Sequence, residues 1–142
     1  MITYSSEGVK MPGIRKRETT AWIRRVAASY GYTTGEIGYL FVNDEKILET
    51  NRQFLSHDYY TDIITFDYTE GKVLNGDIMI SVDTVRTNAR KYAKSFDEEL
   101  QRVIIHGILH LCGINDKGPG EREKMEEAED KALIMKEVGH RM

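Results

Sequence analysis

Apolar and polar positions along this chain repeat with two periods, one helical and one extended. From Ile14 to Tyr30, IRKRETTAWIRRVAASY sets Ile14, Ala21, Trp22, Val26 and Ala27 at mixed three- and four-residue spacing, which predicts an amphipathic helix stopped by Gly31. The β-branched and aromatic run EIGYLFVND predicts a strand, after which Asn43 or Asp44 can cap a second helix over DEKILETNRQFL. TDIITFDY and GDIMISV flank the turn-forming EGKVLNG and predict neighbouring strands, with an antiparallel pairing the natural one. Asp83 then opens a helical segment, DTVRTNARKYAKS, and Ser95 or Asp97 caps a longer helix, DEELQRVIIHGILHLCG, whose early acids suit the helix dipole. GEREKMEEAEDKALIMKEV predicts a last helix with an apolar stripe through Met125, Ala128, Ala132 and Met135, packed beside the previous one.

From Leu100 to Leu111 the DEELQ helix is apolar on nearly every side, a pattern that places it in the core rather than on the surface. Helices and strands mix without strict alternation. The expected fold is α+β: one compact domain over residues 1–142, with a small mixed sheet of about four strands, about five helices and the histidine helix at its centre.

Composition narrows the class. The 142 residues are 40% apolar and 30% charged, enough to bury a core without disulfides, and no repeat or low-complexity tract interrupts them. No window approaches the ~18 apolar residues of a membrane span. MITYSSEGVKMPG lacks the basic-then-apolar order of a signal peptide, so a cytoplasmic protein with no membrane partner is expected. The single cysteine, Cys112, lies two residues after His110 and should point to the other side of the helix, as a small buried apolar residue rather than a ligand. A net charge of −3 means that any contact with nucleic acid must be local.

The chemistry concentrates in HGILHLCGIND. His106 and His110 are four residues apart, so on a helix both imidazoles leave one face and can reach one ion. Gly113 follows at a spacing suited to a left-handed helix end, and Asp116 comes three residues later, so the chain can turn back toward that ion. Two core histidines satisfied by hydrogen bonds plus a capping aspartate would account for the histidine pair alone, but not for the joint spacing. Against the zinc-protease pattern H-E-x-x-H-x-x-G-x-x-H, the chain has Gly107 for the glutamate and Asp116 for the last histidine. Glycine cannot take a proton from a metal-bound water, which removes the protease's general base. Aspartate is a sound oxygen ligand for zinc at about 2.0–2.2 Å and leaves an open position. Asn115 and Lys117 are poorer ligands. The expected cofactor is one divalent ion, zinc, on His106, His110 and Asp116.

HGILHLCGIND resembles the HGxLHLxGxDH motif of the YbeY family of metal-dependent endoribonucleases. The resemblance extends upstream, where LETNRQFLSHDYYTDIITFDY is similar to LNxxYRxxxxxTDVLSF and NGDIMIS is similar to LGDIxIS. It implies a compact mixed-sheet fold, a zinc site at His106, His110 and the position of Asp116, and single-strand-specific RNA cleavage. It further implies a role in ribosomal RNA maturation, especially at the 3′ end of 16S RNA, and in ribosome quality control, with RNA, the small ribosomal subunit and ribosome-associated proteins as partners. The family's third ligand is usually histidine, and its motif arginine falls on Leu55. Arg52, Arg86 or Arg90 could replace that arginine at a phosphate. Thr61 and Asp62, which open the TDIITF stretch, could orient a ligand or a water. No protein base is identified by sequence.

IRKRETTAWIRR and RTNARKYAKS are candidate RNA contacts, and Trp22, Tyr59, Tyr60 and Tyr92 could stack on bases, against the alternative of solvated faces and core aromatics. Other classes fit parts of the pattern: a metalloprotease-like hydrolase, a non-haem iron oxygenase with two histidines and one carboxylate, or a non-catalytic ribosome-binding factor stabilised by its metal.

Overall fold

A computed structural model of the protein describes residues 1–55 and 61–141. In chain order the elements are β1 (Ile2–Ser6), α1 (Lys16–Ser29), β2 (Thr33–Val42), α2 (Asp44–Phe54), β3 (Ile63–Asp67), β4 (Val73–Ser81), α3 (Val82–Lys91), α4 (Phe96–Leu111) and α5 (Glu121–Arg141). The strands form one sheet in the order β1-β2-β4-β3. β1 and β4 each run parallel to β2, and β3 pairs antiparallel with β4 from Ile63 opposite Ile80 to Asp67 opposite Gly76.

Period-two alternation gives the sheet two faces. Ile37, Tyr39 and Phe41 of β2 and Leu74, Ile78 and Ile80 of β4 join the main core with α1, α4 and α5, while Val42 and Ile64 pack with Ile47 of α2 on the other side. α4 runs through the main core with ten buried residues and presents its backbone to β2, where the Tyr39 hydroxyl donates to the Ile104 carbonyl at 2.8 Å. Burial on most sides is what its apolar sequence requires.

Three details differ from the sequence expectation. β1 has no counterpart in the predicted elements, because a five-residue edge strand with only Ile2 buried carries almost no periodic signal. α3 starts at Val82 under a Ser81 cap rather than at Asp83, whose carboxylate instead accepts the Asp44 backbone N–H at 3.0 Å and ties α3 to α2. Trp22 is not available to stack on a base: it is fully buried, and its indole N–H donates to the Ala132 carbonyl at 2.8 Å, joining α1 to α5. Tyr59 and Tyr60 lie outside the described residues.

Candidate metal centre

α4 is started by a capping box. The Ser95 hydroxyl accepts from the Glu98 N–H at 3.1 Å, and the Glu98 carboxylate accepts from the Ser95 N–H at 3.0 Å. About five turns later Gly113, at φ +92°, closes the helix. Its N–H donates to the His110 carbonyl at 2.9 Å, and the Ile114 N–H donates to the Leu109 carbonyl at 3.0 Å, the two bonds of a Schellman end. That reversal returns Asp116 over the last turn of α4.

The result is a three-residue cluster. Asp116 Oδ2 lies 3.3 Å from His106 Nε2, and Oδ1 lies 3.5 Å from His110 Nε2. One ligand atom from each of His106, His110 and Asp116 falls within 4.8 Å of the others. Zinc arms of about 2.0–2.1 Å in a tetrahedron would set such atoms roughly 3.3–3.4 Å apart, so the two aspartate contacts have the spacing of neighbouring ligands. Asp116 Oδ1 is buried and has no hydrogen-bond partner among the described residues. A buried, unsatisfied carboxylate oxygen is unfavourable by itself, and a cation between it and two imidazoles removes the penalty. These side chains fit a divalent metal.

Gly107 explains how α4 comes so close to the sheet. A Cβ there would sit 2.9 Å from Ile78 Cδ1 and 3.3 Å from Ile63 Cδ1, so the helix rests directly on β3 and β4. The position that carries the glutamate of a zinc protease therefore faces the sheet. Cys112 is half-buried against the main core, and its thiol is pushed up to about 11 by burial. It stands outside the three-residue cluster, as its place on the helix predicts.

Behind His106 lies an ion network that runs from buried Glu129 out to exposed Asp130. His106 Nδ1 is 2.6 Å from Glu129 Oε2, Glu129 Oε1 accepts from Arg102 Nη1 at 2.7 Å, and Arg102 Nη2 donates to Asp130 at 2.6 Å. Burial by itself would lower the pKa of His106, but the bond to Glu129 and its charge, helped by Asp62 and Asp116, raise it. His110 is lowered, by burial first and by repulsion from His106 second. Neither Glu129 nor Arg102 was singled out by sequence. The available signal was an acid at position 129 on the same helical face as Met125, Ala128 and Ala132, where burial demands a partner.

A cavity of about 930 Å³ opens over this cluster. Thr61 and Asp62 form part of its wall, as does Leu55 at the end of α2. The Thr61 hydroxyl donates to the Ile63 carbonyl at 3.3 Å, and the Asp62 carbonyl accepts from the Ser81 N–H at 2.9 Å, which fixes this segment to β4. Burial raises the pKa of Asp62, against the attraction of His106, and burial with repulsion from Asp62 raises that of Glu99. Arg52, Arg86 and Arg90 do not line the cavity; Arg86 pairs with Asp83 at 3.7 Å and lies over the Phe96 ring. Among the described residues the cations on the wall are Lys94, Arg102, Lys117 and Arg122, and half-exposed Tyr92 also lines it.

Fold and site together define a small α+β protein whose central helix offers an open cavity a His-His-Asp cluster that could hold a metal ion. Residues 4–138 match the family model for endoribonuclease YbeY. The chain is 70% identical over 135 residues to endoribonuclease YbeY of Bacteroides thetaiotaomicron, covering 95% of this chain and 98% of that one. It is 67% identical over 135 residues to that of Phocaeicola vulgatus, covering 95% and 98%. A Thermotoga maritima protein solved in solution superposes with a TM-score of 0.69 at 28% identity, covering 99% of this chain and 92% of that one. The chain belongs to the endoribonuclease YbeY family, a family of RNA-cleaving hydrolases.

Proposed function

We propose that this chain is a zinc-dependent endoribonuclease that cuts single-stranded RNA, with His106, His110 and Asp116 as the metal ligands. The observation that carries the reading is the buried, unpartnered Asp116 Oδ1 at 3.5 Å from His110 Nε2, with Oδ2 at 3.3 Å from His106 Nε2, in the wall of a large cavity, in a chain of this family. A bound divalent ion would supply Lewis-acid polarisation of a phosphodiester and a more acidic water. The chain's own residues supply the rest. Lys94, Lys117 and Arg122 meet phosphates at the cavity wall, taking the part the sequence offered to Arg52, Arg86 and Arg90, and Tyr92 offers a ring to an unstacked base. Asp62, a wall carboxylate whose pKa burial raises, is suited to accept a proton from the attacking oxygen.

The proposed substrate is ribosomal RNA, above all the 3′ end of 16S RNA, in the cytoplasm and with ribosome-associated partners; the motif resemblance supports this assignment. No helix among the described residues is long and apolar enough to cross a membrane. The packing at Gly107 argues against a protease, since a glutamate there would have to enter the helix–sheet contact.

The test is elemental analysis of wild type beside His106→Ala and Asp116→Ala, with cleavage of a ribosomal RNA fragment by each. One equivalent of zinc in wild type, lost in both variants together with cleavage, is the expected result. Zinc binding with no cleavage in wild type would favour a metal-stabilised binding factor, and a wild type that binds no metal after reconstitution would end the metal reading.

A further inference from the structure

The two nitrogens of the His106 ring face different carboxylates. Nε2 faces Asp116 at 3.3 Å, while Nδ1 lies 2.6 Å from Glu129 on α5, twenty-three positions along the chain. Glu129 can accept the proton of an Nδ1–H at this distance, and the ring so held turns Nε2 toward the cluster. Glu129 is itself held. Its side chain is 8% exposed, and its second oxygen takes Arg102 Nη1 at 2.7 Å. Arg102 sits one helical turn before His106 on the same face of α4, and its other amino group is occupied by Asp130 at 2.6 Å.

A bridge serving only to dock α5 on α4 would need Arg102 with one or both acids, and nothing would direct the remaining Glu129 oxygen at the imidazole. From this geometry we infer that Glu129 is a positioning residue for the metal centre, and that Arg102 acts on the centre through Glu129. The inference rests on the metal reading above and adds a part to it: α5 sets the aim of the His106 ring toward the cluster. Outer carboxylates of this kind typically change metal affinity about 10–100-fold.

The experiment measures zinc affinity by competition with a chromophoric chelator for wild type, Glu129→Ala, Glu129→Gln, Arg102→Ala and the Glu129→Ala/Arg102→Ala double variant. Thermal unfolding in chelator and the ¹⁵N spectrum of the histidine rings accompany it. Glu129→Ala should bind zinc about 10–100-fold more weakly, with His106 losing its fixed Nδ1–H tautomer. Glu129→Gln nearly preserves shape, so it decides the matter if the alanine variant does not fold. Its single acceptor oxygen faces two donors, and an intermediate loss is expected. Arg102→Ala should weaken zinc less, and the double variant should match Glu129→Ala within about twofold, since Arg102 has nothing to act through once Glu129 is gone. If Arg102 and Glu129 serve only helix docking, stability in chelator falls while affinity and tautomer stay put, and the inference is overturned. It is equally overturned if Arg102→Ala keeps its full effect in the Glu129→Ala background. A wild type that binds no zinc defeats the metal reading itself, an outcome distinct from a wild type that binds zinc no better than Glu129→Gln.

Discussion

Replacing Gly107 by alanine tests whether the histidine helix truly rests on the sheet. Two effects oppose each other. Alanine in a helix interior is favoured over glycine by about 0.8–1.0 kcal/mol, so on an exposed helix the change would stabilise. Here the new methyl would lie 2.9 Å from Ile78 Cδ1, 3.2 Å from Ile78 Cγ2 and 3.3 Å from Ile63 Cδ1, all short of the usual carbon contact. The Cδ1 end can rotate away, but Cγ2 is fixed by the stiff β-branch. Ile78 is also only 1% exposed, so it has little space to enter. Overpacking of this sort costs about 1–3 kcal/mol, and with the fixed Cγ2 of a buried side chain in the way the upper part of that range applies. The balance is a loss of about 1–2 kcal/mol, or roughly 3–8 °C in Tm for a chain of this size. Denaturant unfolding of metal-free protein should show the midpoint falling with an unchanged slope. A variant as stable as wild type, or more so, would refute the reasoning, because it would mean that α4 and β4 can separate freely and that glycine is not what brings the helix to the sheet.

Two further predictions concern the ends of helices near the site. Ala93 adopts φ +54° at the end of α3, between cavity residues Tyr92 and Lys94, and a non-glycine residue pays for that conformation. Ala93→Gly should therefore raise stability by about 0.5–1 kcal/mol in urea unfolding, whereas a drop would show that the turn is not strained. At the start of α4, Ser95→Ala should destabilise by about 1 kcal/mol. Glu98, whose pKa is lowered by its bonds to Ser95, contributes stability that is present above its ordinary value of 4.5 and lost as pH falls through the lowered one. Unfolding midpoints from pH 6 down to pH 3 should fall less steeply in Glu98→Ala than in wild type, and parallel curves would contradict the capping box.

The amino-acid sequence by itself determined what is local. His106 and His110 share a face because they are four apart on a helix, and Gly113 ends that helix because only glycine takes a positive φ without strain, which carries Asp116 back within a few residues. The all-round apolar run of α4 marked the core element before any contact was known, and residue type narrowed the caps to Asn43 or Asp44 and Ser95 or Asp97, of which the structure uses Asn43 and Ser95. Only the tertiary structure decided the rest. Parallel pairing of β1 and β4 with β2 joins segments far apart in the chain, and no periodicity within a strand names its neighbour. Lys94 and Arg122, rather than Arg52, Arg86 or Arg90, line the cavity because α3 and α5 pack at particular angles against α4, a fact of side-chain fit rather than spacing. Glu129 was invisible for the same reason. An acid among many on a charged helix acquires a role only when docking strips it of water and leaves Arg102 and His106 as the donors that can satisfy it.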